Sequence, residues 1–264
     1  MNMRVIVTRP RQEAGKWVDA LAHAGYQAVA LPLIDVLPAP DAQAVADAWG
    51  RLHTYDAVMF VSSNAVEHFF ASKAALAHVF TTQSAIKTRA FVPGPGSFAA
   101  LLRRQAEAQC IDAPEVAAGQ FDSEALWKVV GPRVHAGYRV LIVRGAGPAA
   151  GAAGDGRGWF ANQVRAAGGT VEFVVAYRRR PPQLSEQALQ CARQGAVDGS
   201  VWLFSSSQAI ANLVRACPGQ SWAQARAVVT HHRIALAARQ AGFAVVEESR
   251  PELPALIASI ESLK

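Results

Sequence analysis

The sequence predicts an α/β protein of two doubly wound domains with parallel sheets, and three observations carry that prediction. Short apolar, β-branched runs alternate with segments of helical period, as parallel strands joined by right-handed crossover helices require. The alternation runs through the 264 residues twice, in the same order. Two proline-bearing stretches fall at equivalent places in the two copies.

The first matched element is Arg4-Val5-Ile6-Val7-Thr8-Arg9, an apolar run ending in arginine, repeated as Arg139-Val140-Leu141-Ile142-Val143-Arg144. A helical period follows each, over residues 12–24 and 158–167. The second matched element carries a strand through serines into a helix. It reads Ala57-Val58-Met59-Phe60-Val61-Ser62-Ser63-Asn64-Ala65-Val66 in the first copy and Ser200-Val201-Trp202-Leu203-Phe204-Ser205-Ser206-Ser207-Gln208-Ala209-Ile210 in the second. The third pairs Ala90-Phe91-Val92-Pro93-Gly94-Pro95-Gly96-Ser97 with Ala227-Val228-Val229-Thr230-His231-His232-Arg233, each ahead of an alanine- and leucine-rich helix. One unit has been used twice.

Residues 31–40 and the segment Tyr177-Arg178-Arg179-Arg180-Pro181-Pro182 read as linkers after the second strand of each copy. Contiguous domains would divide near Ala136. Crossing at both linkers would instead combine the front of one copy with the back of the other. Periodicity does not decide between these.

Composition excludes several classes. With 51% hydrophobic and 17% charged residues, the chain can bury a sizeable core and is not a disordered tail. No apolar run reaches the ~18 residues of a membrane span, and the opening apolar stretch is too short for a signal peptide, so a cytoplasmic protein is expected. Three cysteines, Cys110, Cys191 and Cys217, with no close pair, support neither a disulfide framework nor a cysteine-based metal site. The net charge of +6 favours an anionic partner. The basic residues are spread out and aromatics do not interleave with them, so a small polyanion fits better than nucleic acid.

Ligands of open parallel sheets collect beyond the carboxyl ends of the strands, where helix N-termini present unpaired N–H groups. Ser62-Ser63-Asn64 and Ser205-Ser206-Ser207 are expected there. A serine in each set would also serve as a helix cap, but three consecutive polar residues, twice, exceed what a cap requires. Gly94 and Gly96 would let a ligand approach the backbone, with Ser97 beside them; Pro-Gly pairs are equally ordinary turn residues. Thr230-His231-His232 reads as polar lining or as an exposed helix start, and adjacent histidines without a further ligand do not make a metal site. Arg9 and Arg144 end matching strands, where each could hold a carboxylate or pair with a nearby acid. Tyr177 ends the strand over residues 171–176, where its hydroxyl could serve as a donor or its ring could simply pack. Gly145-Ala146-Gly147-Pro148-Ala149-Ala150-Gly151 looks like a degraded dinucleotide fingerprint, which leaves an NADP-binding oxidoreductase as a rival. The loop runs on through Gly154, Asp155, Gly156 and Gly158, too long for a tight pyrophosphate turn.

In order and spacing, these features resemble the uroporphyrinogen-III synthase family of tetrapyrrole biosynthesis. The resemblance rests on Val7-Thr8-Arg9-Pro10, Leu31-Pro32-Leu33-Ile34, Phe60-Val61-Ser62-Ser63-Asn64-Ala65-Val66 and Val92-Pro93-Gly94-Pro95-Gly96-Ser97. Leu141-Ile142-Val143-Arg144-Gly145, the Val-x-x-Tyr pattern ending at Tyr177, and Phe204-Ser205-Ser206-Ser207 complete it. It implies flavodoxin-like domains joined by a two-stranded crossover, with a discontinuous first domain of residues 1–37 plus 179–264 and a second of residues 38–178. It implies closure of linear hydroxymethylbilane to uroporphyrinogen III, with loss of water and inversion of ring D, without metal or organic cofactor. Tyr177 is carried over as the donor to the departing hydroxyl. Ser62, Ser63, Ser206, Thr230 and the Gly94-Pro95-Gly96-Ser97 turn are carried over as substrate contacts, although Thr230-His231-His232 stands where many relatives have a Gly/Pro/Thr-type turn. A monomer supplied by hydroxymethylbilane synthase, with no membrane or nucleic-acid partner, is expected. A two-domain anion-binding protein is the non-enzymatic alternative.

Overall fold

The computed structural model describes residues 3–71, 79–85, 87–115, 121–147 and 155–263. The chain divides into two compact units, Met1–Asp35 with Arg180–Lys264, and Val36–Arg179. The first unit begins with β1 (Arg4–Val7), α1 (Arg11–His23) and β2 (Gln27–Ala30). The second contains β3 (Asp35–Pro38), α2 (Ala42–Gly50), β4 (Ala57–Phe60), α3 (Ser63–Ala71), β5 (Arg89–Phe91) and α4 (Pro95–Arg103). It continues through β6 (Ile111–Asp112), α5 (Ser123–Val130), β7 (Arg139–Ala146), α6 (Asp155–Ala166) and β8 (Thr170–Arg180). The first unit resumes with α7 (Glu186–Gly195), β9 (Val201–Phe204), α8 (Ser207–Ala216), β10 (Arg226–Val229), α9 (His232–Gln240), β11 (Val245–Glu248) and α10 (Leu253–Glu261).

The first unit's sheet has the order β11-β10-β9-β1-β2, and the second unit's has the order β3-β8-β7-β4-β5-β6. All four pairings of the first sheet are parallel, as are those running from β8 to β6 in the second. Once the repeats are exchanged, the five strands of the first sheet match five of the six in the second, with β3 added at its edge. β1 corresponds to β7 and β9 to β4, so each sheet joins the front of one copy to the back of the other.

Central strands are buried on both faces, which is why they read as continuous apolar runs. Val5, Ile6 and Val7 of β1 and all of β4 and β9 are buried. On one face of the first sheet, Leu21 of α1 and Leu256 and Ile260 of α10 pack on Val5, Val7, Leu203 and Val228. On β9, Trp202 stacks with Phe204 and meets Trp222 and Phe243 edge-on. Its indole N–H donates to the Gly195 carbonyl at 2.8 Å, and a Cβ on Gly195 would require the end of the Ile6 side chain to shift. In the second unit, Trp49, Phe60, Phe69, Phe70 and Phe80 form the aromatic centre of one face. Met59, Ile142, Leu126 and Phe160 fill the other.

Both proline stretches differ from the expected linkers. Asp35–Pro38 is strand β3, at the edge of its sheet beside β8, and Arg178-Arg179-Arg180 completes β8. Proline is tolerated because β3 is an edge strand with Pro38 as its last residue, while Pro32 and Pro40 lie outside it. Leu31-Pro32-Leu33-Ile34 is irregular yet buried. Leu31 N–H donates to the Val7 carbonyl (2.9 Å), Leu33 N–H donates to that of Thr8 (3.3 Å), and the Asn212 amide donates to the Leu33 carbonyl (2.7 Å). Helix α6 is already under way at Asp155, so Gly156 and Gly158 belong to its first turn and not to the expected loop. Residues 148–154 of that loop lie outside the described residues.

Candidate active site

At the carboxyl edge of the second unit's sheet, the chain leaves β4 and turns into α3 at Ser62. The Ser62 hydroxyl oxygen accepts the Ala65 N–H at 3.1 Å and so caps the helix. The same oxygen lies 3.0 Å from the Tyr177 phenol oxygen. Tyr177 itself is only 3% exposed.

Three features put the phenol there. The β7–β8 register runs Arg144 opposite Val175 and then Gly145 opposite Tyr177, a shift that leaves Ala176 unopposed. Gly145 has no Cβ, and one added there would overlap the Tyr177 ring. The His68 ring of α3 stacks on the phenol, with centroids 5.7 Å apart and planes at 24°. Burial holds the His68 imidazole below its ordinary pKa, against a smaller upward pull from neighbouring Glu67. Burial alone would raise the Glu67 carboxyl, but hydrogen bonds from Arg104 (2.6 Å) and Arg103 (3.2 Å) outweigh it and hold Glu67 ionised.

The other expected residues of this unit have varied placements. Ser63 and Asn64 open α3, half-buried, with interactions of their own. Gly94 is the extended N-cap of α4, Pro95 starts that helix, and a Cβ on Gly96 would meet open space. Ser97 is buried. Arg144 is turned onto the Phe173 ring, 4.7 Å from its centroid. Ser62 and Tyr177 are thus joined directly, Ser63 and Asn64 follow Ser62 in the chain, and Arg144 is held by a cation–π contact.

The first unit presents the corresponding turns. Ser206 caps α8 by accepting the Gln208 N–H at 3.2 Å, and the Ser207 hydroxyl donates to the Arg233 carbonyl at 3.4 Å. Ser205 precedes them, half-buried. Thr230 N–H donates to the Phe204 carbonyl at 3.3 Å, tying the ends of β9 and β10 together. His231 caps α9, its Nδ1 accepting the Arg233 N–H at 3.1 Å, so this imidazole is a helix-start residue. Arg9 is bonded to Glu13 at 3.0 Å and lies 4.3 Å over the Trp17 ring. The Arg9 Nε and Gln208 Nε2 atoms are buried without a hydrogen-bond partner among the described residues. No group of three metal-ligating side chains occurs among those residues.

His68, Gly145 and Gln208 were not singled out as site residues by sequence reasoning. The signal for Gly145 was its place directly after Arg144, in the strand that pairs with the one bearing Tyr177. His68 carried a weaker signal: an ionisable residue beside the apolar Val66, Phe69 and Phe70 on the helix that Ser62 starts.

The fold and these turns define a class: α/β proteins built from an exchanged repeat, with serine-capped helices at the carboxyl edges of two parallel sheets. The sequence profile of the family described as "Uroporphyrinogen-III synthase HemD" matches residues 15–258, and the chain belongs to that family. Over 67 residues it is 30% identical to the "Porphyrin biosynthesis protein HemD" of Ruminiclostridium josui, a match covering 25% of this chain and 13% of that protein. Its fold is similar to that of the uroporphyrinogen-III synthetase of Helicobacter pylori, at TM-score 0.56 and 13% identity over the full length of both chains. It is also similar to a mutant uroporphyrinogen III synthase of Thermus thermophilus, at TM-score 0.55 and 13% identity over 99% of this chain and 98% of the other.

Proposed function

We propose that this protein closes hydroxymethylbilane to uroporphyrinogen III, losing water and inverting ring D, as a step of haem biosynthesis. The observation that carries the reading is the Ser62–Tyr177 hydroxyl pair at a sheet's carboxyl edge, in a chain belonging to the uroporphyrinogen-III synthase family. The substrate is a flexible polycarboxylate, and helix N-termini with serine hydroxyls suit its carboxylates. In this reading the hydroxymethyl group leaves as water, with the proton drawn from Tyr177, and an electrophilic azafulvene remains. Attack from the substituted α-carbon of the far ring forms a spiro intermediate, which fragments and recloses with that ring inverted. The protein's task is to bring that carbon to the electrophile, since the free bilane closes spontaneously to the uninverted isomer.

Substrate contacts are assigned to Ser62, Ser63 and Asn64 in one unit and to Ser205, Ser206 and Thr230 in the other. Arg9 would have to leave Glu13 to bind a carboxylate, and Arg144 would have to leave Phe173. Residues 1–37 with 179–264, and 38–178, are proposed as the domains, supported by the division of contacts at Asp35/Val36 and Arg179/Arg180. We take the protein to be a cytoplasmic monomer fed by hydroxymethylbilane synthase. No helix of the described residues is long and apolar enough to cross a membrane, in keeping with that placement.

The test is incubation with freshly prepared hydroxymethylbilane, followed by oxidation and chromatographic separation of the porphyrin isomers. Isomer III formed faster than the spontaneous isomer I supports the reading. Isomer I alone, at the rate of the protein-free control, would leave a binding protein.

A further inference from the structure

Tyr177 is buried, whereas Ser62 is half-buried at the start of α3. A buried phenol needs an acceptor for its O–H, and among the described residues of its unit the partner of Tyr177 is the Ser62 oxygen. That oxygen also receives the Ala65 N–H. With one lone pair taken by the amide and the other by the phenol, both acceptor positions of Ser62 are filled. With the phenol as donor, the Ser62 proton is the one left for a group outside the pair, and no acceptor for it occurs among the described residues of the unit.

Resting on the functional reading above, we infer that Ser62 is the residue that touches the leaving hydroxyl, and that Tyr177 supplies the proton through it. As the substrate's carbon–oxygen bond breaks, the Ser62 proton goes to the departing hydroxyl, which leaves as water. The Tyr177 proton moves to Ser62, and the electrons of the pyrrole nitrogen fill the new double bond, leaving an azafulvenium cation whose charge balances that of the phenolate. When the reclosed ring loses its proton to regain aromaticity, that proton returns through Ser62 to the phenolate. One water is released, no external acid is consumed, and both hydroxyls finish as they began. His68 and Gly145 serve as positioning residues, since the one stacks on the phenol and the other leaves room for it.

The test measures turnover and isomer outcome for the wild type, Ser62→Asn, Ser62→Thr, Tyr177→Phe and the Ser62→Asn/Tyr177→Phe double variant. Turnover of the wild type and Tyr177→Phe is also measured in mixtures of light and heavy water. Asparagine still caps a helix but has no hydroxyl to relay a proton, so S62N separates the relay from the cap. Expected are a loss of about 100-fold for S62N, a clearly smaller loss for S62T, which keeps the hydroxyl, and a double variant no worse than S62N, because the pair acts as a unit. The wild type should show a bowed dependence on deuterium fraction, from two protons in flight, and Y177F a linear one. Normal turnover in S62N, or losses that multiply in the double variant, would overturn the relay. Should S62N fail to fold by circular dichroism, an equally bowed dependence in Y177F overturns it, and a linear one supports it. A wild type that makes only isomer I defeats the functional reading itself, which is a separate outcome.

Discussion

Gly145 stands opposite Tyr177 across a register shift in the β7–β8 ladder, and its missing Cβ is the space the phenol ring occupies. The backbone of one strand therefore sets where the hydroxyl of the next can reach. Ser62, on a third element, takes that hydroxyl at 3.0 Å.

Gly145→Ala should therefore act on both stability and turnover. Forcing a methyl against a buried ring costs about 1–3 kcal/mol, which thermal unfolding would register. Turnover should fall more than the apparent affinity changes, because the displaced group is the proton source and not a carboxylate contact. Wild-type turnover in a folded Gly145→Ala protein would show that the phenol's place does not matter.

Tyr177→Phe keeps the ring and removes one hydroxyl. Turnover should drop roughly 10–100-fold, at or below the low end for a positioned general acid, because the leaving group also departs unaided. Unfolding free energy should move by only about 1 kcal/mol, the net worth of one hydrogen bond. Steady-state kinetics and urea denaturation check the two halves separately.

The His68 imidazole makes stability pH-dependent in a definite direction. Burial lowers its pKa in the folded protein, so between that lowered value and the ordinary ~6.5 the unfolded chain binds more protons. Its contribution is thus fully present above about pH 6.5 and is lost as the pH falls toward the folded value. His68→Gln should flatten this acid-side loss, as read from unfolding midpoints across a pH series. An unchanged slope would place the titrating group elsewhere.

Much of the fold was legible because a strand buried on both faces must be apolar along its length, as Val5-Ile6-Val7 and Val201-Trp202-Leu203-Phe204 are. The polar turns that follow such strands, Ser62 and Ser206 among them, were legible for the same reason: hydroxyls break the apolar run where a helix needs a cap. What escaped depends on pairing between distant segments. Gly145 matters only because β7 and β8 slip by one residue beside it, and His68 matters only because α3 packs over β8. The proline stretches misled because proline disrupts a central strand but not the terminus of an edge strand such as β3. For Arg9 and Arg144 the sequence left a carboxylate ligand and a pairing with a nearby acid equally open; Arg9 is held by Glu13 and Trp17, and Arg144, inside β7, by Phe173.

In the proposed reaction this chain directs the wrong end of a flexible bilane onto its own azafulvene. Hydroxymethylbilane labelled with carbon-13 at the hydroxymethyl carbon, followed by NMR during turnover, tests it most directly. The label is expected to become the bridge beside the inverted ring of uroporphyrinogen III, well ahead of spontaneous closure. Label found only in the bridge of uroporphyrinogen I would contradict it.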